Sequence, residues 1–140
     1  MDWKLELVIV PVTDVDRAKA FYSEKVGFVV DVDHQAGDAF RVVQLTPPGS
    51  ACSISIGKGI TDAAPGSVRG LHLVVVDIDA AHAALVERGV EASEVFHFEA
   101  GKQMPGPDPQ RQDYGSFLSF GDPDGNSWVV QEVKHSEPRA

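Results

Sequence analysis

Cysteine is almost missing: Cys52 is the only one in 140 residues. An internal disulfide and a thiolate-rich metal site are thereby excluded, and the usage fits a reducing cytoplasm. Basic residues are also few, 12 Lys and Arg against 21 Asp and Glu, for a formal net charge of -9 at pH 7. A phosphate backbone is gripped by clustered cations that displace counterions, and here the cations stand singly. Nucleic acid is therefore not an expected partner. No apolar run approaches the roughly 18 residues of a membrane-spanning helix, and Met1-Asp2-Trp3-Lys4 does not open a signal-peptide pattern. Gly57-Lys58-Gly59 is too short for a phosphate loop. No Ser-His-Asp or Cys-His arrangement occurs at a recognisable spacing. The expectation is a soluble, acidic, cytoplasmic domain that binds neither nucleic acid nor membrane.

What is present is one unit written twice. Leu5 to Val10, bounded by Pro11, reads as a strand. Thr13-Asp14-Val15-Asp16 is rich in N-cap residues and early acidic charge, and so opens a helix. Gly27 stops that helix. Three strand-like runs follow at Phe28 to Asp33, Phe40 to Thr46 and Ala51 to Ile56, separated by turn-forming Ala36-Gly37-Asp38 and Pro47-Pro48-Gly49. The order then repeats. Leu71 to Val76 reads as a strand and Asp77-Ile78-Asp79 opens a helix that ends at Gly89. Strands are expected at Glu91 to Phe98, Ser116 to Phe120 and Ser127 to Val133. Asp14 and Asp77 match at an offset of 63, and Pro47 and Gly49 match Pro123 and Gly125 at an offset of 76. The difference falls in a Pro-rich insertion at 99–113, long enough to suggest a lid or binding loop. Module one is placed at 4–56, a linker at 57–69, module two at 70–133 and a tail at 134–140.

Two tandem β-α-β-β-β modules, with Asp14 to Tyr22 opening the first helix and Asp122-Pro123-Asp124-Gly125-Asn126 before the last strand, resemble the vicinal oxygen chelate superfamily. Its members include glyoxalase I, extradiol dioxygenases, fosfomycin-resistance enzymes and bleomycin-resistance proteins. The resemblance implies an α+β fold of curled mixed sheets around a cavity, and a homodimer. In metal-using members, four His or Glu side chains on the first and fourth strands hold a divalent ion that acts as a Lewis acid. The family pattern sets the first-strand ligand seven residues before the helix-opening Asp, which gives Leu7 and Gly70. It sets the fourth-strand ligand four residues after the Gly of Asp-Pro-Asp-Gly, which gives Val129, and the repeat carries that back to Ser53. None of these is a good ligand. His72 lies two residues beyond Gly70, where a bulge could rescue it, but Leu7 and Val129 would still fail. Glu132 should point to the opposite face of its strand. No metal or other cofactor is expected.

Strand parity then outlines a different lining. If Leu7, Ser53, Gly70 and Val129 face the cavity, so should Ile9, Ser55, His72 and Gln131. Apolar walls with a few polar points suit a small organic molecule. Tyr114, at the base of the insertion, could close over it. Trp128 should face the helix side and Arg41 should be a solvated strand residue. The expected function is binding of such a molecule without metal. The alternative is an enzyme of the same superfamily: a metal-dependent lyase or dioxygenase, or a metal-free acid–base catalyst using His72, the best catalytic candidate here.

Overall fold

A computed structural model describes residues 1–134, so all of the expected tail except Lys134 lies outside the described residues. The chain forms two compact units: Met1–Val68 together with the turn Asp122–Asn126, and Arg69–Gly121 together with the chain from Ser127 onward.

In the first unit, β1 (Leu7–Ile9) runs parallel to β4 (Ser53–Lys58). Antiparallel β3 (Phe40–Thr46) and β2 (Val29–Ala36) complete the order β1-β4-β3-β2. Helix α1 (Val15–Ala20) begins where sequence chemistry places it: extended Asp14 accepts the Arg17 N–H on its side chain at 3.0 Å. The helix continues as a wider π-helical turn, Phe21–Val26, and ends on left-handed Gly27 at φ 91°. The wide turn lets consecutive Phe21 and Tyr22 both point inward, where both are buried. Val10, Ala18, Tyr22, Val43, Leu45 and Ile56 form a fully enclosed core.

The Asp122-to-Asn126 turn is held in this unit by a buried polar network. Tyr22 Oη donates to Asp122 Oδ2 at 2.7 Å, and Asn126 Nδ2 donates to the same oxygen and to the Pro11 carbonyl, each at 2.8 Å. Asn126 Oδ1 accepts the Val68 N–H at 3.1 Å, while Asp122 Oδ1 accepts the Asp124 and Asn126 N–H groups. Asp124 in turn accepts from the Thr13 N–H and hydroxyl. Each residue of the motif that carries a polar side chain thus has a defined role.

In the second unit, β5 (Leu71–Val75) runs parallel to β9 (Ser127–Glu132). With β8 (Ser116–Gly121), β6 (Phe96–Glu99) and β7 (Lys102–Pro105) the order is β5-β9-β8-β6-β7. Helix α2 (Ile78–Glu87) is capped by Asp77, which accepts from the Asp79 and Ala80 N–H groups. Two expectations need correction. The strand expected at 91–98 is confined to Phe96–Glu99, preceded by a single bridge from Ala92 to Phe120. The unit also has a fifth strand, β7, drawn from the supposed insertion loop. Its cause is a two-residue hairpin: Ala100 and Gly101 both adopt positive φ (50° and 80°), the requirement of the turn that matches strand twist, and Glu99 pairs with Lys102 across it.

Asn126→Ala removes the amide that serves Val68, Pro11 and Asp122 in an enclosed site. The expected loss is about 2–4 kcal/mol, read as a lowered urea midpoint. A loss within about 0.5 kcal/mol, the range of an ordinary surface substitution, would show that the network adds nothing net.

Candidate functional site

Residues paired across neighbouring strands share a face, and so do residues two apart along one strand. In the first unit Leu7 lies opposite Ser53 and Ile9 opposite Ser55. Ser55 in turn faces Gln44 on β3, so the face carrying Leu7, Ile9, Ser53 and Ser55 also carries Gln44 and Thr46. The small serines form its floor, 5% and 3% exposed, while Ile9 stands out at 38%. The opposite face carries Ile54, Ile56 and Leu45, all buried in the core.

In the second unit His72 lies opposite Val129. Gly70, reached by counting back seven from Asp77, is not on the strand at all: it precedes β5 with φ 70°. The connection from strand to helix cap is two residues shorter here than in the first unit. His72 therefore occupies the place that Leu7 occupies opposite Ser53, and no bulge is needed. Gln131 shares its face, as do Ser119 and Phe117 on β8, which pair with Val129 and Gln131. Phe117 stacks on Phe96 at 5.6 Å between ring centroids, and Phe98 meets Phe117 edge-on at 5.5 Å. The result is an aromatic wall beside the polar row, with Phe98 half-exposed. Trp128, Val130 and Glu132 lie on the opposite, buried face, as parity predicts. Thr46, Gln44, Ser119 and the phenylalanine trio were not among the residues expected from the sequence. Alternation in the flanking strands carried that signal, but only a known register could use it.

The four cross-strand positions therefore hold Leu7, Ser53, His72 and Val129. A divalent ion needs several imidazole or carboxylate donors; Leu7 with Ser53 in one unit offers none, and His72 with Val129 in the other offers one imidazole. Neither pair fits a metal of the family type. Among the described residues, no group of three or more His, Cys, Asp or Glu is placed to hold one elsewhere. His72 Nδ1 lies 2.7 Å from the Gly70 carbonyl. A carbonyl only accepts, so Nδ1 carries a proton, and in the neutral ring Nε2 is the acceptor. Ser53 Oγ lies 2.6 Å from Thr46 Oγ1, which itself bonds Asp31.

Arg41, expected to be solvated, is instead tied into ion pairs. It forms a fork with Asp33 (Nε and Nη2 to the two oxygens, 3.0 and 2.9 Å) and reaches Asp16 at 2.7 Å. The fork, with Lys19 at 2.7 Å, holds the Asp33 carboxyl well below its usual range. A hollow of about 750 Å³ lies beside Arg41, walled by Asp14, Asp16, Lys58 and Asp62, and none of the expected site residues lines it.

The segment expected to act as a lid is anchored. Arg111 Nε and Nη2 donate to the two oxygens of fully buried Glu132 at 2.9 and 2.6 Å, and Nη1 reaches Asp79 at 3.1 Å. Glu132 Oε2 also accepts the Ile78 N–H, at the first turn of α2. Arg111, aided by that N–H, holds the Glu132 carboxyl below its ordinary value against the opposing effect of burial. Tyr114, 45% exposed, has φ 65° and donates its N–H to the Glu132 carbonyl. His97, inward-facing on β6, bonds Glu99 at 2.6 Å and the Gly106 carbonyl at 2.7 Å. Both partners favour the imidazolium, Glu99 most, and raise its pKa above 6.5.

Arg111→Ala strands a buried carboxylate and should lower stability by about 3–5 kcal/mol in urea titrations. A change below about 1 kcal/mol would make the pair a bystander. For His97, with its folded pKa raised, the stabilisation is fully present below the unfolded value of about 6.5. It is lost as pH rises through the higher folded value. The stability gap between the native chain and His97→Asn should therefore narrow with rising pH, and a gap that widens would contradict the assignment.

Residues 4–130 match the model of the Glyoxalase/Bleomycin resistance protein/Dioxygenase superfamily. The chain is similar to TnmS3, an antibiotic binding protein from Streptomyces sp. CB03234, with 34% identity and a TM-score of 0.73, covering 94% of this chain and 97% of that one. A superfamily member from Sphaerobacter thermophilus is 28% identical with a TM-score of 0.72, covering 94% and 98% of the two chains. YetH of Bacillus subtilis is 28% identical over 126 residues, 89% of this chain and 94% of that protein. With its repeated α+β units and the match along nearly its whole length, the chain belongs to the Glyoxalase/Bleomycin resistance protein/Dioxygenase superfamily.

Proposed function

We propose that the protein binds a small organic molecule, of the antibiotic class, without a metal ion. The observation that carries this reading is the side-chain chemistry at Leu7, Ser53, His72 and Val129, where metal-using relatives need imidazole and carboxylate. Further support comes from the lining each unit offers: apolar Leu7 and Ile9 beside serines in one, and a phenylalanine wall beside Gln131 and His72 in the other. Such mixtures suit organic ligands oriented by a few hydrogen bonds. Similarity to an antibiotic binding protein points the same way. No helix among the described residues is long and apolar enough to cross a membrane, and the proposed setting is the cytoplasm. The proposed assembly is a homodimer, a form in which the exposed Met1, Trp3 and Leu5 would find cover.

A second reading rests on one observation: the Nε2 of His72 is placed to take a proton. It makes the chain a metal-free acid–base catalyst.

Purified protein should contain no stoichiometric divalent metal after dialysis, and a panel of antibiotics should yield at least one ligand by calorimetry that chelators do not release. Retained zinc, nickel, iron or manganese, lost together with binding on chelation, would overturn the proposal. Recovery of a chemically altered ligand, abolished in His72→Ala while the fold is kept, would instead establish the catalytic reading.

A further inference from the structure

Building on the metal-free binding reading, we infer that Ser53 is a directional hydrogen-bond acceptor, set by Thr46 and Asp31, that selects ligands presenting a hydroxyl donor. Strand β2 carries a bulge. Val30 pairs with Leu45 and Val32 with Gln44, so Asp31 is an extra residue in β2. Bulges re-aim side chains, and are frequent beside functional sites. Here the extra residue brings the Asp31 carboxylate onto the Thr46 hydroxyl at the end of β3.

Proton counting then fixes the direction of the whole chain. An ionised carboxylate can only accept, so Thr46 spends its single proton on Asp31. Thr46 Oγ1 can then only accept from Ser53 Oγ, 2.6 Å away. The Ser53 proton is thus turned sideways along the face onto Thr46, and its lone pairs are the feature it offers a ligand. Each bond polarises the next, so the carboxylate strengthens the serine as an acceptor through one intervening hydroxyl. A ligand oxygen carrying a hydrogen, such as a phenol, meets a lone pair and binds. An ether or carbonyl oxygen at the same place meets lone pair against lone pair.

His72 obeys the same logic within its own unit. The Gly70 carbonyl claims the Nδ1 proton and leaves Nε2 accepting. A metal ion attracts oxygen lone pairs. The groups standing at these positions attract the hydrogen instead, so the polarity of recognition is inverted.

The test compares 1-naphthol with 1-methoxynaphthalene, which differ in the hydroxyl proton and one methyl group, by NMR titration of the full chain. Native protein should bind the naphthol about five- to tenfold more tightly, the worth of one hydrogen bond. In Thr46→Val the serine proton is released and Ser53 can donate, so the preference should fall to within about twofold. Asp31→Ala should do the same, and because Asp31 is exposed this variant carries the test if Thr46→Val fails to fold. Equal binding of the two probes by native protein, or an unchanged preference in a folded variant, would overturn the inference and leave metal-free binding standing. Failure of both probes to bind at millimolar concentration would overturn this inference, while the antibiotic panel decides the binding reading separately.

Discussion

A parallel pair of strands leaves no choice about which side chains stand together. Once Leu7 lies opposite Ser53 and His72 opposite Val129, the composition of each open face follows. A slip of one residue would turn the whole set over. The slip is prevented by what lies on the other side. Ile54 and Ile56 belong to a closed apolar core, and Glu132 accepts a two-bond fork from Arg111. Reversing either strand would bring serine hydroxyls into the hydrocarbon or expose the isoleucines. Packing on one face therefore specifies chemistry on the other, and the character of the open face is inherited from the demands of the buried one.

That inheritance explains how a shared fold can carry different chemistry. The backbone delivers cross-strand neighbours at fixed places, and what happens there depends on whether they offer imidazole and carboxylate or hydrocarbon and hydroxyl. In this chain two of the polar groups that remain have a hydrogen committed to a neighbour: His72 to a carbonyl, Ser53 to a threonine backed by a carboxylate.

Much of this was legible before any coordinates. The repeat, the two Asp caps and the inward aim of Trp128 and Glu132 follow from alternation and offset, and the placing of Leu7 beside Ser53 follows from the family resemblance. What escaped has physical causes. Counting back from the cap lands correctly on Leu7 and wrongly on Gly70, because the second strand-to-helix connection lost two residues and sequence period cannot register a shortened loop. The hairpin at Ala100-Gly101 uses a turn whose first residue gives a weak signal: alanine seldom takes positive φ, as Asn or Asp would. The Asp31 bulge leaves no trace in an alternation pattern, since it inserts one residue without changing the character of its neighbours.

The way Arg111 is used has a bearing on how this architecture can diversify. Because the guanidinium neutralises a carboxylate sealed inside the protein, the stretch on its side of the hairpin cannot be trimmed freely, whereas the Ala100-Gly101 tip carries no such obligation. New sequence can be spliced into the tip while the root stays riveted. One insertion thus divides into a part open to change and a part that the buried charge holds in place.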